Sequence, residues 1–180
     1  MSEKKLEAGP AAFLLAQIGA HAASQFAERL APLHLTSADA GILRLLRITS
    51  GISQQDLAKR LGIHPSRLVA ILDNLERREL VERRANAEDR RLYSLHLTKA
   101  GEETLEQVGQ VARQHQQAIC SGLTNDERDQ LTTLLRRIAT QQGLTPGVHP
   151  GYRSIGGASS ETGVRRRGRP KRLSTTAVHS

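Results

Sequence analysis

Four arginines, Arg83, Arg84, Arg90 and Arg91, fall within nine residues of one another. A guanidinium is a permanent cation with a rigid fork of donors, so such a cluster suits the binding of phosphate rather than the breaking of bonds. It sits in the run LVERRANAEDRRLYSLHL, residues 80–97. The first part ends Val81-Glu82-Arg83-Arg84-Ala85, and the tip is Asn86-Ala87-Glu88-Asp89-Arg90-Arg91. In the return, Tyr93, Leu95 and Leu97 alternate with Ser94 and His96, the period of a half-buried strand. A β-hairpin is therefore predicted. Its arginine tip has almost no apolar surface and suits a polyanion, and its place behind two short helices points to double-stranded DNA.

The same residues do not support catalysis. Glu88 and Asp89 are neighbours at an exposed tip, where both stay ionised and cannot divide general acid and base work. None of the seven histidines pairs with another at i, i+4, and Cys120 is the only cysteine, so neither a metal site nor a disulfide is expected. There is no phosphate-cradling glycine loop and no nucleophile elbow. No catalytic residue and no cofactor is assigned, and an enzyme is not expected.

The elements that must carry the hairpin follow from periodicity and capping residues. Residues 10–31 form one helical pattern through Phe13, Leu14, Ala16, Ile18, Ala20, Phe26 and Leu30. It is apolar around most of its circumference, so it needs partners on several sides, and Pro32 stops it. Thr36, with Asp39 three places on, caps a helix through Ile42, Leu43, Leu45 and Leu46 that Ser50-Gly51 breaks. Ser53 and Asp56 open the next helix, which buries Leu57, Ala58 and Leu61 and closes at Gly62. His64-Pro65 begins another, with Leu68, Ile71, Leu72 and Leu75 facing the core. After the hairpin, Thr98 starts a helix to about Gly122, and Thr124 with Glu127 caps a last one striped by Leu131, Leu134, Leu135 and Ile138.

The expected fold is mainly α, a winged helix-turn-helix of six helices plus a two-stranded wing. The DNA-reading unit covers about residues 36–97. The N- and C-terminal helices, about 10–31, 98–122 and 124–141, would form a dimerisation region within a domain of residues 1–142. In such a unit the second helix enters the major groove with its N-terminal residues at base edges. Here these are His64, Pro65, Ser66, Arg67, Val69 and Ala70. Arg67 matches the paired acceptors of guanine, while His64 and Ser66 could reach phosphates or bases. Arg77 and Arg78, further along, are expected to meet the phosphate backbone or solvent. The wing would follow the adjacent minor groove, where arginine is drawn to narrow A·T-rich stretches. Ten cations between Lys59 and Lys99 favour DNA over a purely protein-binding winged helix.

Residues 36–101 resemble the MarR family of bacterial transcription regulators, and the likeness extends over about residues 10–141. It is carried by SQQDLAKRLGIHPSRLVAILDNLERRELVERR, by EDRRLYSLHLT and by the KAG that follows. The resemblance implies that Arg91 enters the minor groove, that Asp89 holds it and that Arg90 contacts the backbone. Glu79 stands at a turn where relatives often have glycine. An obligate homodimer follows from the same resemblance, and it fits a symmetric operator, which needs two recognition helices roughly 34 Å apart. A repressor is implied, because relatives usually occlude promoters.

A small-molecule effector, often phenolic or lipophilic, is also implied, bound between the dimer helices and the reading unit. By position, Gln17, His21, His34, Arg44 and His115 are the candidates to line its pocket. With no tryptophan, and only Phe13 and Phe26 in the helical frame, an aromatic lining is not expected. Peroxide-sensing relatives use a cysteine near the N-terminus, whereas Cys120 lies beside Ile119, Ser121 and Gly122 and reads as a small apolar residue.

From Gly143 onward there are seven basic residues against the single acid Glu161, so this stretch carries +6 of the total +8. Seven glycines and three prolines there predict disorder over 143–180. Residues 165–172 contain Arg167-Gly168-Arg169-Pro170, which resembles the core of an AT-hook, a minor-groove binder. An alternative reading is an architectural DNA-binding protein with little sequence discrimination. No run approaches the roughly 18 apolar residues that span a bilayer. Residues 1–9 hold four charges, unlike a signal-peptide core, so a cytoplasmic, nucleoid-associated protein with no membrane partner is expected.

Overall fold

The computed structural model describes residues 10–85, 93–149 and Tyr152. Among these, six α-helices and one two-stranded antiparallel sheet follow each other in the order α1 (Ala11–Leu30), α2 (Ser37–Ile48), α3 (Gln54–Leu61), α4 (Pro65–Arg77), β1 (Val81–Ala85), β2 (Tyr93–Leu97), α5 (Lys99–Ile119) and α6 (Asn125–Gln141). This is the winged helix-turn-helix expected from the sequence.

Local chemistry sets most boundaries. At α2, Thr36 Oγ1 accepts from the Asp39 N–H (3.1 Å) while Asp39 Oδ2 accepts from the Thr36 N–H (2.9 Å), a reciprocal capping box. Thr124 and Glu127 do the same for α6. Their hydrogen bonds hold the Glu127 carboxyl below its usual range, the backbone donor contributing most. Ser53 and Thr98 cap α3 and α5 with single side-chain bonds. Gly62 ends α3 in the left-handed region, at φ 66.

The core lies between α2, α3, α4 and the sheet. Leu30, Ile42, Leu43, Leu46, Leu57, Leu61, Leu68, Leu72, Leu75 and Leu95 are all buried there. The sheet pairs Val81 with Leu97 and Ala85 with Tyr93, which leaves the seven residues 86–92 between the strands. The link between α2 and α3 also joins β2, through Gly51 N–H to Leu95 O and Leu95 N–H to Ile52 O, both 3.0 Å. These bonds fix the base of the hairpin to the α2–α3 link.

Two tight approaches hold the wing's root. Glu79 adopts φ 56, a left-handed backbone that favours glycine, and its carbonyl accepts from Thr98 Oγ1. Gly101 lies against the Leu80 carbonyl so closely that an added Cβ would collide with it, which accounts for the glycine of the KAG motif.

Outside the core, α1 and α6 are left uncovered. Phe13, Leu15 and Ile18 of α1 are exposed, as are Leu131, Leu134, Leu135 and Ile138 of α6, and α1 has only Leu30 buried. The breadth of apolar surface read from residues 10–31 is therefore met within the described chain only along α5 and, towards Leu30, by α2.

The expected start of disorder at Gly143 needs correction. Residues 143–149 fold back in turns, and Tyr152 is only 4% exposed. Gly143 and Gly147 take positive φ there, and Val148 packs against the core. The glycines that suggested disorder instead make the reversal possible, and two apolar side chains find seats.

Candidate nucleic-acid interface

Helix α4 begins as its sequence requires. Pro65, with no N–H to leave unsatisfied, occupies the first turn, and His64 Nδ1 accepts from the Ser66 N–H at 3.3 Å. Ser66 Oγ lies 2.8 Å from the same nitrogen. With Nδ1 used as an acceptor, the imidazole carries its proton on Nε2 and retains one donor for a ligand. Leu68, Leu72 and Leu75 bury the opposite side of the helix. His64, Pro65, Ser66 and Ala70 are exposed, and Arg67 and Val69 half-buried, on the first turns. The Arg67 guanidinium has no hydrogen bond or ion pair with any described residue, while its backbone N–H donates to the His64 carbonyl at 3.0 Å. The six residues expected at base edges are thus brought together at one end of one helix.

The wing arginines divide. Arg83 sends one guanidinium nitrogen to Asp73 Oδ1 at 2.6 Å and another to Glu76, so both carboxylates on α4 are taken by one fork. Its side chain is 18% exposed. It clamps β1 to α4 rather than standing free for phosphate. Arg84 is exposed, and among the described residues its guanidinium bonds only Glu82 of its own strand, through Nε at 3.0 Å. Asp89, Arg90 and Arg91 lie outside the described residues, as do Arg167, Gly168, Arg169 and Pro170 of the tail. Arg78, expected at phosphate or solvent, instead donates to the carbonyls of His34 (2.7 Å) and Leu33 (3.1 Å). It ties α4 to the turn after α1. Arg77 reaches Asn74 Oδ1 at 3.4 Å and is otherwise exposed. Asp73 and Glu76, three residues apart on α4, were missed by sequence reasoning. Their spacing on one helical face was the available signal.

On the far side of α2 a cavity of about 890 Å³ opens between α1, α2, α5 and the segment after α6. Its apolar lining includes Phe26, Leu105, Val108 and Ala112, and Arg44, Arg47 and Arg113 stand around it. Of the five candidates, only Arg44 lines it. Gln17 and His21 are exposed on α1, and His34 forms the left-handed turn that Arg78 holds. His115 instead packs against Phe26, ring centroids 5.3 Å apart, with its Nδ1 buried and unpartnered. Burial lowers its pKa, and the charges of Arg29 and His21 add to that. The expectation of a lining without aromatics also fails. Phe26 and Tyr152 both border the cavity, and Tyr152 comes from the stretch read as tail. Arg47 and Arg113 were not anticipated, although Arg47 lies one turn from Arg44 on α2.

Among the described residues no cluster of His, Cys, Asp and Glu could hold a metal ion. No described helix is long and apolar enough to cross a membrane.

Comparison with known proteins places this geometry. A profile of the MarR family matches residues 35–93. The structure is similar to apo wild-type MarR from E. coli, at 29% identity and a TM-score of 0.65, covering 73% of this chain and 98% of that one. It is also similar to the transcriptional repressor CouR bound to a 23-mer DNA duplex, at 34% identity and a TM-score of 0.65, over 72% of this chain and 92% of that one. A mutant E. coli MarR complexed with operator DNA matches at 29% identity and a TM-score of 0.62, over 71% and 91%. Among curated sequences, a Thauera aromatica protein named as the transcriptional regulatory protein for an hcr operon is 32% identical over 106 residues, 59% of this chain. The chain spans 64% of that protein's length.

Proposed function

This chain belongs to the MarR family of DNA-binding transcription regulators, and from that premise we propose that it is a sequence-specific repressor acting as a homodimer on an inverted-repeat operator. The carrying observation is the start of α4. His64, Ser66 and Arg67, whose guanidinium has no partner among the described residues, share one end of a helix whose other face is locked in the core. A helix end so fixed can present side chains to base edges, and the hairpin clamped to it by Arg83 adds a backbone contact. Asp89, Arg90 and Arg91 are proposed to extend that contact into the minor groove. The tail motif Arg167-Gly168-Arg169-Pro170 is proposed to add a largely sequence-independent hold.

Dimerisation is supported by the uncovered apolar stripes of α1 and α6. Such surface is characteristic of a subunit contact. Release by a small molecule is supported by the cavity, whose size is ordinary for a ligand site. Its three arginines over an apolar floor suit an anionic group on an apolar body, and none of the three has a partner among the described residues.

Footprinting on genomic fragments tests the central claim. A protected inverted repeat, weakened by Arg67→Ala, is expected. Uniform protection of any A·T-rich DNA would instead establish the architectural alternative. Truncation after Tyr152, rather than after Gln142, is the proper tail deletion, since it keeps the docked segment. The shortened protein should bind more weakly with a flatter salt dependence and an unchanged site preference.

A further inference from the structure

The segment after α6 reaches two places that matter. Gly143, at φ 65, turns the chain, and the Leu144 N–H returns to the Ala139 carbonyl at 3.0 Å. Residues 142–145 with Val148 and His149 then border a shallow cleft against Lys59–Gly62, the end of α3 that leads into the recognition helix. Tyr152 finally seats on α2. Its Oη donates to the Ala38 carbonyl at 2.7 Å, and its ring end lies over Gly41, where an added Cβ would collide with the hydroxyl. Burial, with the Asp39 charge nearby, raises the phenol's pKa.

The same arm is one wall of the cavity, through Gly147, His149 and Tyr152. The other walls are α1, α2 and α5, all longer than ten residues and internally bonded. The arm has no such ladder. Tyr152 is held at α2 by a single side-chain hydrogen bond and by the fit of one ring into the space a glycine leaves. A wall of this kind yields first when the cavity fills.

We propose that Tyr152 is a latch: the arm closes the cavity in the unliganded protein, and an effector binds there by displacing it. This rests on reading the cavity as an effector site. Displacement reaches DNA because the arm leaves the Lys59–Gly62 turn ahead of α4.

The test uses the full-length protein. Cleavage by chymotrypsin after Tyr152, followed by mass spectrometry of the released 153–180 fragment, reports the latch. Benzoate and octanoate serve as probes, with their binding measured separately by calorimetry. Gly41→Ala should evict the ring without altering the arm and speed cleavage at least tenfold. Either probe that binds should accelerate cleavage of the parent protein and bind several-fold tighter to Gly41→Ala, where displacement has already occurred. Tyr152→Ala is the second variant, since it empties the seat without adding anything to α2, and it should show the same gain in probe affinity. Probe binding that leaves cleavage unchanged, with equal affinity in all three proteins, would overturn the latch while sparing the effector site. Absence of binding to every form, including Tyr152→Ala, would overturn both.

Discussion

Arg83 offers the sharpest discrimination between a residue that touches DNA and one that positions what does. Its fork holds Asp73 at 2.6 Å and also Glu76, whose side chains are 50% and 41% exposed. Half-exposed pairs contribute about 0.2–1 kcal/mol each, and two on one guanidinium should reach about 1–2 kcal/mol of stability. Replacing Arg83 by Met removes that and leaves two uncompensated carboxylates on the recognition helix, facing a phosphate polyanion. DNA affinity should fall about tenfold, roughly 1.4 kcal/mol. The triple variant Arg83→Met/Asp73→Asn/Glu76→Gln removes one positive and two negative charges, so it is one unit more positive than the parent. If Arg83 acts only as a clamp, the triple variant recovers most of the lost affinity. The assay is fluorescence anisotropy on a short duplex across a salt series. A direct phosphate contact would behave otherwise, with the salt slope dropping by about 0.9 in the single variant and no recovery in the triple one. That outcome would refute the clamp.

Three further expectations follow from the same geometry. Arg67→Ala should cost about 1–3 kcal/mol of operator affinity and relax discrimination at one base position only, as read by a competition series of single-base variants. Gly101→Ala must push the Leu80 carbonyl away from α5, so thermal melting should show a loss of about 1–3 kcal/mol, while Gly122→Ala, with open space around it, should not. His115 has a folded pKa below its unfolded one, so it binds fewer protons when folded. Its contribution to stability is complete above about pH 6.5 and is lost as pH falls through its folded value. The pH dependence of Tm between about 7.5 and 5.5 should therefore be shallower in His115→Gln than in the parent, and equal slopes would remove His115 as its source.

What could be read from the sequence was what short-range chemistry decides. Thr36 with Asp39, Ser53 with Asp56 and Thr124 with Glu127 start their helices through bonds spanning three residues, so a linear chain displays them. The hairpin strands were visible in the alternation about Leu95 and in the charged tip. Contacts between distant segments were not visible. Nothing local tells Ile52 that it will accept from Leu95, or Arg78 that it will reach back 44 residues to the His34 carbonyl. The arm misled for a different reason. Composition averages over a segment, whereas docking needs only a pair of well-placed side chains, here Val148 and Tyr152, joined by glycines able to turn.

Charge counting suffers in the same way, and the correction bears on DNA binding. Of the ten cations between Lys59 and Lys99, Arg78 and Arg83 are committed to protein acceptors with good geometry. Arg84 is a different case. Its partner Glu82 is an exposed neighbour on the same strand, and a pair of that kind is worth so little that a phosphate can take the arginine away. Structure and sequence position together thus divide the basic residues into a structural class and a binding class that composition cannot separate. The division can be measured. Arg84→Ala should flatten the salt dependence of DNA binding by roughly 0.9 in logarithmic slope with little change in Tm. Arg78→Ala should leave that slope alone and lower Tm, because two carbonyls after α1 lose their donor. The reverse pattern would mean that the hydrogen bonds of Arg78 give way to DNA and those of Arg84 do not.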